Sequence, residues 1–309
     1  MSRSRPSLRI ALCCPLLFAC TCAAQTVRLN KVVELFERKS PAFGSFVTVV
    51  SPRAAAEHAS LPLDFVIVDM EHTPYDPMQL QGYLLGMINK RRIMAKGNLQ
   101  PDVMPFVRLP ANGREHTQFL LKQALDLGVF GVLLPHIDNR EDALWAVRSA
   151  RYGQRLGVPD FEPHGQRGVG LGWPARYWGL PSVEYAERAD LWPLDPKGEL
   201  LLWFMIESRE GVEHAREIAA VPGVGGLFLG PGDLAFSLGV PLGDPRVEEP
   251  IQKVLAACRE TGVPCGTVAE TPEIDGRLQQ GFRFLVVYNN PVPPAVGKAM
   301  AARESGLKK

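Results

Sequence analysis

The sequence predicts an α/β protein, a closed (β/α)8 or TIM barrel in a single domain, and three observations carry that expectation. Short apolar, β-branched runs alternate with longer amphipathic stretches, the pattern of parallel strands joined by crossover helices. About eight such runs occur, each too short and too apolar for anything but a buried strand. The chain of 309 residues leaves room for a barrel of about 250 once an N-terminal leader is set aside. An open doubly wound sheet is the competitor. Its phosphate-binding G-x-G-x-x-G is missing after the first strand, where Gly44 stands alone.

In chain order, residues 1–24 come first. Arg3, Arg5 and Arg9 precede the apolar run Ile10 to Cys20, and small residues follow at Cys22, Ala23 and Ala24, which reads as a secretory signal peptide. The expected address is therefore export, periplasmic or secreted, with a lipid anchor at Cys20 as a second way of processing the same leader. The next methionine is Met70, inside a candidate catalytic motif, so a start there would destroy the protein. The barrel is assigned to residues 25–309. No later stretch approaches the roughly 18 apolar residues of a membrane span.

The expected strands are Gly44–Val50, Asp64–Asp69, Met104–Leu109, Phe130–Pro135, Leu201–Glu207, Gly226–Gly230, Val263–Val268 and Arg283–Tyr288. Helices over Glu115–Leu127, Val247–Thr261 and Glu273–Gln280 each stop at a glycine, the residue that tolerates a left-handed cap. Between them, Tyr152 to Gly198 is long and rich in Gly, Pro and aromatics, with a short helix around Ser182–Ala189. It reads as an active-site cover or a subunit contact.

Composition narrows the function. A net charge of +1 gives no electrostatic footprint for nucleic acid. Four of six cysteines fall in the leader, and Cys258 and Cys265 lack the spacing and companions of a thiolate metal site, so they read as buried packing residues.

Polar residues follow the strand ends: Asp69-Met70-Glu71-His72 after the second, Arg108 in the third, Glu207 in the fifth, and Gly230-Pro231-Gly232-Asp233 after the sixth. A closed barrel brings these ends to one face. Glu207 and Asp233 form a hard oxygen-donor pair suited to Mg2+ or Mn2+, with water and substrate completing the shell. Read singly, Glu207 is equally a salt-bridged strand end and Asp233 a helix cap. Gly230-Pro231-Gly232 offers bare backbone amides for a carboxylate, or is a plain turn. His72, with Asp69 near enough to orient it, suits acid–base work near neutral pH. Arg108 would stabilise a developing enolate oxygen. His58, His116, His136, His164 and His214 read as structural.

With these residues in place, the chain resembles the HpcH/HpaI aldolase family. The likeness is carried by DFVIVDMEHTPYD (Asp64–Asp76), FVRLPAN (Phe106–Asn112), LLKQALDLGVFGVLLP (Leu120–Pro135), MIESREGVEHAREIAAVPGVGGLFLGPGDLAFSLG (Met205–Gly239) and GFRFLVV (Gly281–Val287). The resemblance implies a phosphoenolpyruvate/pyruvate-type barrel and a class II aldolase, a carbon–carbon lyase that binds pyruvate through a divalent metal and works via its enolate. It implies Glu207 and Asp233 as metal ligands, His72 as base, Asp69 and Asp126 as assisting acids, Arg108 at the enolate, and Gly232 with Asp233 at the pyruvate carboxylate. Asp126, a surface residue by its position at a helix end, would reach the site of a neighbouring subunit in a homo-oligomer, commonly a hexamer. Substrates would be a 2-oxo acid and an aldehyde.

Two departures touch the substrate site. Met205 stands where the family usually has a glutamine, and Tyr288-Asn289-Asn290 replaces a common Gly-Ser-Asp. These changes and the leader keep open a non-catalytic protein that binds 2-oxo acids through a metal. A citrate-lyase-like acyl-CoA lyase is the third reading, though export would separate it from CoA and no basic cluster marks a diphosphate site.

Overall fold

The strands form where the apolar runs predicted them. In the computed structural model, which describes residues 27–110, 118–158, 160–287, 296, 297, 300 and 303, they are β1 (Ala42–Val47), β2 (Phe65–Asp69), β3 (Met104–Arg108), β4 (Gly131–Leu134), β5 (Leu201–Ile206), β6 (Gly226–Leu229), β7 (Cys265–Ala269) and β8 (Phe284–Val287). Every neighbouring pair is parallel, and β1 pairs with β8 to close the barrel. β1 begins and ends earlier than expected because its partner sets its start: the Ala42 N–H donates to the Arg283 carbonyl.

Aromatic rings fill the barrel. The Phe284 ring stacks on Phe65 at 3.9 Å between centroids and on Trp203 at 4.2 Å. Strand glycines make the room: Gly44 pairs with Phe65, and a Cβ at Gly44 would lie 2.2 Å from that ring. Truncating Phe284 to alanine would cost about 3–5 kcal/mol through the cavity left behind.

The helices Glu248–Thr261 and Ile274–Gln280 stop at Gly262 and Gly281, as predicted. Both glycines have positive φ, +79° and +105°. The helix before β4 is described as Gln118–Leu127; the expected positions 115–117, His116 among them, lie outside the described residues. So do the whole leader with its four cysteines, Asn112, and Tyr288-Asn289-Asn290. Cys258 and Cys265 are buried free thiols on a helix and a strand. Among the described residues no helix is long and apolar enough to cross a membrane.

The long stretch 152–198 goes elsewhere than to the active-site cover that its length suggested. It folds two short helices, Gly172–Trp178 and Ser182–Arg188, against the flank and the amino-terminal end of the barrel. Trp178 stacks on Phe130 at 4.3 Å and donates its indole N–H to the Gly128 carbonyl, both just ahead of β4. Arg151, fully buried, anchors the start of the stretch by hydrogen bonds to Asp160 and Asp190 and to the carbonyls of Phe161 and Pro163. At its end, Glu199 accepts the backbone N–H groups of Leu29 and Asn30. Aromatic packing and these ion pairs pull the segment to the end opposite the strand-end carboxylates.

Candidate active site

The carboxyl ends of β2 and β3 are locked together. Asp69 and Arg108 are register partners, and the guanidinium donates from Nε to Oδ1 at 2.9 Å and from Nη2 to Oδ2 at 2.7 Å. The Asp69 Oδ1 also accepts the backbone N–H groups of Glu71 at 3.0 Å and His72 at 3.5 Å, which shapes the turn after β2. Burial pushes the Asp69 carboxyl up, but the hydrogen bonds and charge of Arg108 more than offset it and leave the acid below its ordinary value.

The third guanidinium nitrogen of Arg108 faces Glu71, at 2.9 Å from Oε2, and its plane lies over Phe46, 4.5 Å from the ring centroid. The same Glu71 oxygen is 3.6 Å from the His72 Nε2. The carboxylate beside the imidazole is thus Glu71, not the Asp69 expected to orient it, because the strand register commits Asp69 to Arg108. Burial raises the Glu71 pKa above its ordinary value, against the pull of Arg108. His72 points outward, its side chain 64% exposed.

Across the barrel, Glu207 ends β5 almost fully buried, 2% exposed. Its Oε1 accepts the His136 backbone N–H at 2.9 Å, with that imidazole at 3.8 Å. His136 delivers the N–H from a left-handed turn, φ +51°, uncommon outside glycine. The other oxygen, Oε2, faces Gly230, where a Cβ would stand only 2.3 Å away. Burial, with the neighbouring charges of Glu71 and Asp233, raises the Glu207 carboxyl to about 8; the His136 N–H and Arg108 pull it partly back.

Asp233 sits in the first turn of the helix Pro231–Ser237, capped by Gly230 rather than by its own side chain. The pyrrolidine of Pro231 presets the entry, and the first intrahelical bond runs from Leu234 N–H to Gly230 carbonyl. The N–H groups of Gly232 and Asp233 stand ahead of it, unclaimed by the helix. Gly230-Pro231-Gly232 is therefore a strand-to-helix junction and not a plain turn.

His72, Arg108, Met205, Gly232 and Asp233 line one cavity of about 650 Å3, with Glu207 directly behind Gly230. Met205 contributes an apolar thioether to the cavity, at the position where the family usually has a glutamine. Asp126 does not line the cavity of its own chain. Half-buried near the end of its helix, it accepts from Arg167 at 2.8 Å and pairs with Lys122. Glu71 and His136 are members of the site that the sequence did not single out. Glu71 was visible inside the Asp-Met-Glu-His motif, whereas nothing local to His136 signals its turn.

Two carboxylates from adjacent strands, one held near 8 by burial and like charge, suit an oxygen-preferring divalent cation that would relieve the repulsion. Among the described residues no group of three or more His, Cys, Asp or Glu side chains is arranged to hold a metal.

A closed eight-strand barrel with its ionisable groups gathered at the carboxyl ends of the strands is the architecture of a barrel enzyme. The model of the family HpcH/HpaI aldolase/citrate lyase matches residues 42–287. The chain is 32% identical over 260 residues to a 2-dehydro-3,6-dideoxy-6-sulfogluconate aldolase of Pseudomonas putida, covering 82% of this chain and 88% of that one. It is 30% identical over 263 residues to a 5-keto-4-deoxy-D-glucarate aldolase of Salmonella newport, covering 84% and 90%. A crystal structure of an HpcH/HpaI aldolase/citrate lyase family protein from Burkholderia cenocepacia aligns with TM-score 0.69 and 29% identity, over 90% of this chain and 98% of that one. The chain belongs to the HpcH/HpaI aldolase/citrate lyase family. Its named relatives are aldolases, carbon–carbon lyases, the reaction class the sequence led us to expect.

Proposed function

We propose that this protein is a divalent-metal-dependent class II aldolase that makes or breaks 2-oxo acids through the enolate of pyruvate. The observation that carries the reading is the gathering of Asp233, His72 and Arg108 at one cavity, with Glu207 behind Gly230 and near enough for the Asp233 charge to act on it. Glu207 and Asp233 would hold the cation, Mg2+, Mn2+ or Co2+, which when bound supplies Lewis-acid polarisation of the keto group.

The chain's own groups do the rest. The amides of Gly232 and Asp233 take the pyruvate carboxylate. The exposed imidazole of His72 removes a methyl proton and returns one when the bond is cleaved. Arg108, fixed in place by Asp69 and Glu71, presents positive charge where the enolate oxygen forms. Asp126 acts, in this reading, on the site of a neighbouring subunit of a homo-oligomer, positioned by Arg167. Export follows from the leader and is tested by fractionating cells for the mature chain.

The test is deuterium incorporation into the methyl group of pyruvate in D2O, followed by mass spectrometry. Metal-loaded protein exchanges these protons, and His72→Ala or Glu207→Ala does not. Absence of exchange with all three metals removes enolisation from the account.

A further inference from the structure

We propose that the acceptor half of this cavity selects uncharged aldehydes and discriminates against aldehydes bearing a carboxylate, sulfonate or phosphate. This inference rests on the aldolase reading and names its second substrate. The reaction joins C3 of pyruvate to the aldehyde carbon. The methyl proton leaves to His72, the enolate C=C π pair forms the new C–C bond, and the aldehyde C=O π pair moves onto its oxygen, which gains a proton.

The cavity is much larger than pyruvate requires and extends from Asp233 past Phe228 to the ends of β7 and of the helices that flank it. An anionic acceptor needs a cation free to receive it. Among the described residues that line the cavity, the Lys and Arg cations are Arg108 and Arg277. Arg108 is held by Asp69 and Glu71 and, in the aldolase reading, its charge serves the enolate oxygen of pyruvate and not the acceptor. Arg277 donates to Glu248 at 2.8 Å and to Gln280 at 3.1 Å, and its guanidinium lies over the Phe282 ring.

What remains along that wall is negative. Asp244 is matched by Arg246 through a two-point ion pair, and Glu248 by Arg277. Glu270 and Glu273, both exposed on the segment after β7, have no ion pair with an arginine or lysine among the described residues, and their side chains take each other's backbone N–H groups in a capping box. Phe46, Phe228, Leu242, Val247 and Ile251 add apolar surface to the lining. An aldehyde with a second charge would lose water at that wall and meet like charge there. The uncompensated pair of carboxylates in a partly solvated cavity is worth about threefold to tenfold against each negative charge on the acceptor.

The experiment compares acceptors of equal length, butanal and succinic semialdehyde, with pyruvate and Mg2+, as a ratio of kcat/KM values in one preparation of the full chain. Methyl-proton exchange is recorded in the same samples, so that metal-loaded, folded enzyme is measured separately from acceptor choice. Butanal is favoured about threefold to tenfold at low ionic strength, and the ratio shrinks in 0.5 M salt as the wall is screened. The double variant Glu270→Lys/Glu273→Lys lowers the ratio at least fivefold. Intact exchange with succinic semialdehyde used as well as butanal, or with a ratio that the double variant leaves unmoved, overturns the inference alone. Loss of exchange in the native chain overturns the aldolase reading and the inference with it.

Discussion

Arg108 and Asp69, register partners on adjacent strands, face each other through two parallel hydrogen bonds at 2.9 and 2.7 Å, with side chains only 10% and 5% exposed. Such a pair is worth most when one member is missing, because the other is then a buried uncompensated charge. Asp69→Ala is expected to destabilise the protein by about 3–5 kcal/mol, and Asp69→Ala/Arg108→Met by less than the single change. Denaturant midpoints of the two variants and the native chain check the order.

Gly230 leaves the room that the Glu207 carboxylate occupies. A methyl group there would lie 2.3 Å from Glu207 Oε2, while the φ of −99° is one that alanine adopts freely. Gly230→Ala should therefore fold and yet displace the carboxylate, weakening Mn2+ binding about tenfold or more. Isothermal titration calorimetry with unchanged circular dichroism is the check.

Metal affinity should follow the Glu207 proton. In the metal-free protein that carboxyl is held near 8, so below this pH a proton must leave before the oxygen can bind a cation. Affinity for Mn2+ is expected to climb about tenfold per pH unit between 6 and 8 and then level off. Calorimetry in buffers of different ionisation enthalpy counts the released proton.

The same shift acts on stability with the opposite benefit. A carboxyl raised from 4.5 to about 8 favours the folded state at low pH, and that contribution is lost as pH rises through the folded value. Glu207→Gln should thus stabilise the metal-free protein above pH 8, by about 1 kcal/mol, while ending proton exchange. Thermal melts at pH 6 and 9 separate the two effects, the gain appearing at pH 9.

Asp64 titrates with the reverse sign. It is fully buried at the amino end of the barrel, takes the Phe43 N–H at 3.0 Å, and is paired with Lys31 at 2.9 Å and Arg303 at 2.7 Å. Burial pushes its pKa up, but Arg303 and Lys31 outweigh it and the pKa falls below 3.8. Its stabilisation is complete above 3.8 and is lost as pH falls through the lower folded value. Asp64→Asn should be less stable than the native chain at pH 7 and closer to it at pH 2.5, by urea unfolding at both.

Much of the site was legible because a parallel barrel turns a one-dimensional pattern into a face. Strand ends are readable from the apolar runs, so His72, Arg108, Glu207 and Asp233 could be gathered without knowing any distance. Pairings across the sheet were not legible. That Asp69 serves Arg108, leaving Glu71 beside His72, depends on the β2–β3 register. His136 depends on one left-handed residue, and Asp126 on an arginine 41 positions away in a segment without periodicity. The stretch 152–198 announced itself as structured, but aromatic contacts such as Trp178 on Phe130 decide which end of the barrel it meets, and composition carries no such direction.

The central claim is that Glu207 and Asp233 grip one cation between them. Electron paramagnetic resonance of Mn2+ titrated into the metal-free chain tests it most directly. One bound ion per chain is expected, abolished alike by Glu207→Gln and Asp233→Asn and retained in Glu270→Gln. Binding that survives either of the first two substitutions would contradict the account.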